Sequence, residues 1–231
     1  MRLVLFDIDG TLITDGGAAR AAYAAALEAT YGYRGDLRRY DFSGRTDPQI
    51  THMVLGDAGL SAEEIEARMD GLWIVYLEHL AANAPGRVRV LPGVLALLDA
   101  LAADEGVTLA LLTGNIEPGA RLKLAGADLN RYFPFGAFGS DSPQREELPP
   151  IAVARASAIT GIDVRGRDVV IIGDSIYDVR CGVPHDATTI AIASGKTSAE
   201  ALSAEKPHFL FDSCEDTETV LAAILADHCP K

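Results

Sequence analysis

Leu3-Val4-Leu5-Phe6-Asp7-Ile8-Asp9-Gly10-Thr11 runs from four apolar residues straight into two acids, a glycine and a hydroxyl. A short apolar run ended by turn residues reads as a strand buried on both faces. In an open parallel sheet, ligands sit beyond the carboxyl ends of the strands. Asp7 and Asp9 would stand at such an end. Two carboxylates this close repel each other and cost stability unless a cation or a proton lies between them. Folding alone explains the pair poorly. The plainer alternative is a solvated strand–turn junction with Gly10 making the turn.

The same arrangement recurs twice. Val169-Val170-Ile171-Ile172 runs into Gly173-Asp174-Ser175-Ile176-Tyr177-Asp178. Asp174 and Asp178 are one helical turn apart, so a short helix would aim both at one point. Hard divalent cations want such oxygen ligands, and magnesium commonly takes one or two carboxylates. Leu109-Ala110-Leu111-Leu112 runs into Thr113-Gly114-Asn115. A hydroxyl, an open backbone and an amide before a helix suit a phosphate oxygen, although the same residues also make an ordinary turn and helix cap.

Further short apolar runs, Thr189–Ile192 and Phe209–Phe211, alternate with helix-spaced stretches at Val94–Leu101, Ile151–Ile159 and Val220–Leu225. Strands alternating with helices predict an α/β fold, a Rossmann-like parallel sheet with helices on both faces. Residues from Thr14 to Pro85 differ, being alanine-rich and helical in pattern over Ala18–Thr30, Asp47–Gly56 and Ala62–Ala82. In the last of these, Ile65, Met69, Leu72, Trp73, Tyr76 and Leu80 form an apolar stripe, which places Trp73 in the core. We expect a core domain of residues 1–13 and 86–231, with a helical domain of residues 14–85 inserted after the first strand.

The chain has 231 residues, 48% hydrophobic and 23% charged, which suits a sizeable globular core rather than disorder. Its net charge of −13 repels a phosphate backbone, so nucleic acid is a poor partner. An anionic substrate would need a local positive site. Cys181, Cys214 and Cys229 lack metal-ligand spacing and suggest a reduced interior, hence a cytoplasmic protein. No apolar stretch is long enough to span a bilayer, and no leader pattern opens the chain.

Together these strand ends resemble the haloacid dehalogenase superfamily in its phosphatase branch. The DxDGT run (Asp7–Thr11), Thr113 and the GDSIYD run (Gly173–Asp178) match the family's first, second and fourth motifs in order, and the helical insertion resembles its small helical cap. The resemblance implies Asp7 as nucleophile and Asp9 as general acid–base. It implies a magnesium ion held by Asp7, the Asp9 main-chain carbonyl and Asp174, with Asp178 a direct or indirect partner. Thr113, Gly114 and Asn115 would bind the phosphate of a small-molecule ester.

The third motif departs from the family, which usually supplies a lysine. Lys123 lies too near the second motif for that place. Arg145, just ahead of the Ile151–Ile159 helix, and Lys196 are the alternatives; arginine binds phosphate through a fork rather than a point charge. In the inserted block, Ser43-Gly44-Arg45-Thr46-Asp47 resembles the substrate-selecting segment of phosphoglycolate-phosphatase-like members. Arg45 either contacts the substrate or is solvated while Thr46 or Asp47 caps the next helix. Asp9 disfavours dehalogenation, which has no leaving oxygen to protonate. The absence of lysine between Thr14 and Pro85 disfavours Schiff-base chemistry. A phosphomutase and a non-catalytic binding protein on this fold stay open as alternatives.

Overall fold

The structure, a computed structural model, describes residues 1–226; Cys229 lies outside them. The chain begins with β1 (Arg2–Phe6) and β2 (Ile13–Thr14), followed by α1 (Ala18–Tyr31), α2 (Asp47–Asp57), α3 (Ala62–Glu66) and α4 (Met69–Asn83). Next come β3 (Arg89–Val90), α5 (Val94–Ala102), β4 (Val107–Thr113), α6 (Glu117–Ala125), β5 (Gly136–Phe138) and α7 (Leu148–Thr160). Then follow β6 (Val169–Gly173), α8 (Ile176–Gly182), β7 (Thr188–Ile192), α9 (Ala199–Ala204), β8 (Phe209–Phe211) and α10 (Thr217–Leu225).

Six strands form one sheet in the order β5-β4-β1-β6-β7-β8, every pair parallel. The chain leaves central β1 toward β4 and β5, then returns to build the other half from β6. Strand order therefore reverses beside β1, which opens a crevice at its carboxyl end. Alternation along β1 shows why the sheet is covered twice. Val4 and Phe6 join the core that holds Leu97, Leu101, Val220 and Ile224, while Leu3 and Leu5 join Leu148, Ala152 and Ala156 on the opposite face. No described helix is long and apolar enough to cross a membrane.

Helices α1 to α4 lie between β2 and β3, which pair antiparallel through Ile13–Val90 and Thr14–Arg89. The two chain crossings are thus tied together. The stretch expected as one helix over Ala62–Ala82 is two, because Arg68 leaves helical geometry at φ −123° and its N–H bonds back to Ile65 in a tightened turn. The apolar spacing runs through the break, so nothing in the pattern marked it. Ile65, Met69, Leu72, Tyr76 and Leu80 are buried on one continuous core, and Trp73 packs partly buried against it, edge-on to Tyr76 at 6.2 Å.

The insertion is seated on the sheet's carboxyl edge. The Asp47 N–H donates to the Gly114 carbonyl at 2.7 Å, and the Thr46 hydroxyl donates to the Pro143 carbonyl at 2.7 Å. Gly114 permits this approach, since a Cβ there would collide with the Arg45 carbonyl. Gly114→Ala should therefore loosen the seat without touching the sheet. Hydrogen exchange at the Asp47 and Ile116 amides should quicken by about tenfold or more while β1 and β6 stay protected; unchanged exchange there would contradict this packing.

Candidate active site

Three adjacent strands, β4, β1 and β6, deliver the site. Asp7 follows β1, Thr113 ends β4 and Asp174 follows β6, and all three are buried. Gly10 turns the chain at φ +84°, and a Cβ there would strike the Asp174 carboxylate, so only glycine lets the two loops meet. A cavity of about 440 Å³ opens over these strand ends.

Asp178 stands at the start of α8, where it and Ser175 form a reciprocal cap. Its Oδ2 accepts from the Ser175 N–H at 3.0 Å and hydroxyl at 2.6 Å. Arg145 then bridges the acids. Its guanidinium donates to Asp7 Oδ1 at 3.1 Å, to Asp178 Oδ1, and to the Leu112 carbonyl at 3.3 Å. Of the two cations that the sequence left open, Arg145 is the one beside Asp7; Lys196 lines the cavity wall. An arginine 4% exposed among carboxylates is an ion cluster with its charges desolvated, costly unless fully paired.

One guanidinium does not balance three acids. Asp7, Asp174 and Asp178 each offer an oxygen within 4.8 Å of the others, a buried oxygen set that could hold a metal ion. Burial pushes the Asp7 carboxyl up to about 7; Arg145 pulls against this, and Asp178 and Asp9 add to it. Asp174 is pushed up to about 8, first by burial and then by Asp7, Asp178 and Asp9. Excess buried negative charge on hard oxygen donors is what a divalent cation relieves, so the residues fit such an ion.

Asp9 faces the cavity with its side chain 42% exposed. Its Oδ2 accepts from Asn115 Nδ2 at 2.8 Å and from Lys123 Nζ at 2.6 Å. Position in the chain puts Lys123 too near the second motif for the family's lysine, yet the fold brings it into the site. Thr113 Oγ1 accepts from the Asn115 N–H at 3.3 Å and Nδ2 at 2.8 Å. Thr46 caps its own helix by accepting from the Gln49 N–H at 3.2 Å. Asp47 instead reaches across to accept the Ile116 N–H at 2.8 Å. Burial pushes Asp47 up to about 6, against the pull of Lys123 and of that N–H. Arg45 also lines the cavity, its guanidinium 5.2 Å from the Tyr177 ring centre and its buried Nε without a hydrogen-bond partner among the described residues.

A family model described as haloacid dehalogenase-like hydrolase matches residues 4–182, and a second, HAD-hydrolase-like, matches 149–217. The chain is 29% identical over 216 residues to a phosphoglycolate phosphatase of Agrobacterium fabrum, covering 88% of this chain and 85% of that protein. It is 27% identical over 221 residues to phosphoglycolate phosphatase 1 of Pseudomonas aeruginosa, covering 93% and 78%. A solved hydrolase structure from Pseudomonas syringae shares the fold, with a TM-score of 0.73 at 20% identity over 97% of this chain and 99% of that one.

The raised carboxyls have a consequence for stability. Asp7 and Asp174 hold protons up to about pH 7 and 8 in the folded chain, against 3.8 as ordinary carboxyls. Between those limits the native state binds more protons than the unfolded one, so stability falls as pH rises. Urea melts in chelator should show a lower midpoint at about pH 8.5 than at about pH 5.5, and a saturating divalent cation should remove most of the difference. A midpoint that rises with pH in chelator would contradict the buried acid cluster.

Proposed function

The chain is an enzyme of the haloacid dehalogenase-like hydrolase family, and from that premise we propose that it hydrolyses small phosphate monoesters through an aspartyl-phosphate on Asp7, with Mg2+ as cofactor. The observation that carries this is the pairing of Asp7, oriented by a buried guanidinium, with Asp9, a second carboxylate two residues on that faces the cavity. A nucleophile needs to be held, and an acid–base group needs access to the leaving oxygen.

An Asp7 oxygen attacks phosphorus as the ester P–O bond breaks, and Asp9 gives its proton to the departing alkoxide. Asp9 then takes a proton from the water that attacks phosphorus, the Asp7–phosphorus bond breaks, and inorganic phosphate leaves. The Thr113 hydroxyl, the Gly114 and Asn115 backbone and Arg145 offset charge on the transferring group. Asp7, the Asp9 main-chain carbonyl and Asp174 would hold Mg2+, which supplies further charge neutralisation at the phosphoryl oxygens. Both Asp178 oxygens are already engaged, by Ser175 and Arg145, which favours a supporting role that fixes Arg145. Residues 14–85 act as a cap domain over the core formed by residues 1–13 and 86–231, and keep bulk water from the first step.

The substrate we favour carries a second anionic group, as phosphoglycolate does. Arg45 supports this choice, because its Nε is buried with no hydrogen-bond partner among the described residues and its side chain lines the cavity. The relatives named for phosphoglycolate hydrolysis point the same way. A reduced, cytoplasmic setting fits the free, buried thiols of Cys181 and Cys214.

A panel of phosphoglycolate, sugar phosphates, nucleotides and an aryl phosphate, with and without Mg2+, tests this directly. We expect metal-dependent phosphate release without a bisphosphate activator, and Asp7→Asn at background. Arg45→Met should raise KM for phosphoglycolate about tenfold or more and leave aryl phosphate turnover within about threefold. Substantial activity in Asp7→Asn would sink the nucleophile assignment. Turnover only with a sugar bisphosphate would favour a mutase, and no turnover at all a binding protein.

A further inference from the structure

Lys123 is a buried cation that the reaction above does not use. It projects from α6 on the face that also buries Ala120 and Leu124, and it is 3% exposed. A lysine in such a place costs stability, and an apolar residue of similar volume often does as well or better. Its contacts explain what it does there. Nζ donates to Asp9 Oδ2 and to Asn115 Oδ1, both at 2.6 Å. Asn115 in turn donates from Nδ2 to the same Asp9 oxygen and to Thr113 Oγ1. Lysine, amide and carboxylate close a triangle in which each member fixes the other two.

The triangle is one-sided. Both donors fall on Asp9 Oδ2, so Oδ1 is the oxygen free to meet a leaving group in the cavity. Asn115 alone, with one amide hydrogen on the carboxylate, would leave Asp9 able to swing about its side-chain bonds. The second donor, on a rigid helix, removes that freedom. The helical insertion closes the other side of the lysine. Half-buried Asp47 adds a second acid whose charge acts on Lys123 beside that of Asp9, and the buried Tyr76 comes from the same insertion. Asp47 also caps the backbone where α6 begins, through the Ile116 N–H. The lysine bonded to Asp9 is thus enclosed between the core and the insertion.

We propose that Lys123 is the positioning residue for the acid–base carboxylate, holding Asp9 through Oδ2 so that Oδ1 meets the leaving-group oxygen while the insertion covers the site. This rests on the phosphatase reading of that site. A carboxylate 1 Å out of place still sits in the cavity but protonates the leaving group poorly. The defect should then scale with how much the leaving group needs a proton.

The test is kcat/KM over a series of phosphate monoesters, from 4-nitrophenyl phosphate, whose leaving group departs without help, to alkyl phosphates, whose leaving group does not. Lys123→Met should lose about 10²-fold on the alkyl esters and no more than about tenfold on the nitrophenyl ester, which steepens the dependence on leaving-group pKa. Lys123→Arg should recover part of the alkyl loss. Lys123→Met combined with Asp9→Asn should be no slower than Asp9→Asn alone, since both act through one group. Equal loss on every ester, or a fully additive double variant, would overturn the proposal. Should Lys123→Met fail to fold by circular dichroism, Lys123→Arg carries the comparison, with the same ester dependence expected at smaller amplitude and an ester-independent loss overturning it. Wild-type protein that hydrolyses no ester sinks the phosphatase reading and this role with it, whereas an active wild type with an ester-independent defect sinks the role alone.

Discussion

Arg145 holds Asp7 and Asp178 together where almost no water reaches, and the surrounding structure is arranged so that this cluster can exist. A guanidinium between two carboxylates is costly in a desolvated place unless its donors are paired, and here Nη2 makes all three bonds while the buried Nε has no hydrogen-bond partner among the described residues. The Leu112 carbonyl fixes it from β4, Asp7 from β1, and Asp178 from α8 through the Ser175 cap. Three adjacent parallel strands are what bring those groups to one edge. Asp174 adds a further acid to the cluster, and the leftover negative charge is what makes the place fit for a divalent cation. Stability and metal binding would pull in opposite directions here, since the charge that burdens the metal-free fold is the charge that would attract the ion.

The helical insertion completes the site with contacts that the sheet alone does not provide. Asp47 belongs to α2 but satisfies the backbone ahead of α6, and Gly114 is bare enough for the Arg45–Thr46 backbone to lie against it. The insertion and the loop after β4 are thus one packed junction. Lys123 lies at this junction, bonded to Asp9 and Asn115 and within reach of the charge on Asp47.

Much of this was legible in the sequence, for identifiable reasons. β1, β4, β6, β7 and β8 announce themselves because each is an apolar run ended by turn residues, and the acids stand out because they follow such runs. β5 does not, as Gly136-Ala137-Phe138 is too short and too mixed to read as a strand. The hairpin of β2 and β3 is shorter still, and only pairing across the insertion defines it. The break between α3 and α4 is hidden by an apolar spacing that continues through it. Arg145 was found by its position ahead of a helix, whereas no spacing tells which acids it bridges, because Asp7, Arg145 and Asp178 are far apart in the chain. Lys123 had a signal that went unused. Ala120, Lys123 and Leu124 share one helical face, and a lysine among inward-facing apolar residues has to meet a buried partner.

The central claim is that a covalent phosphoenzyme forms on Asp7, the carboxylate that Arg145 orients. The most direct measurement is to quench the enzyme during turnover of an aryl phosphate with Mg2+, reduce with borohydride and map the peptides by mass spectrometry. An aspartyl-phosphate is reduced to homoserine, so the account predicts homoserine at position 7 and unmodified Asp9, Asp174 and Asp178. Homoserine at another position, or rapid turnover that leaves Asp7 unmodified at every quench time, would contradict it.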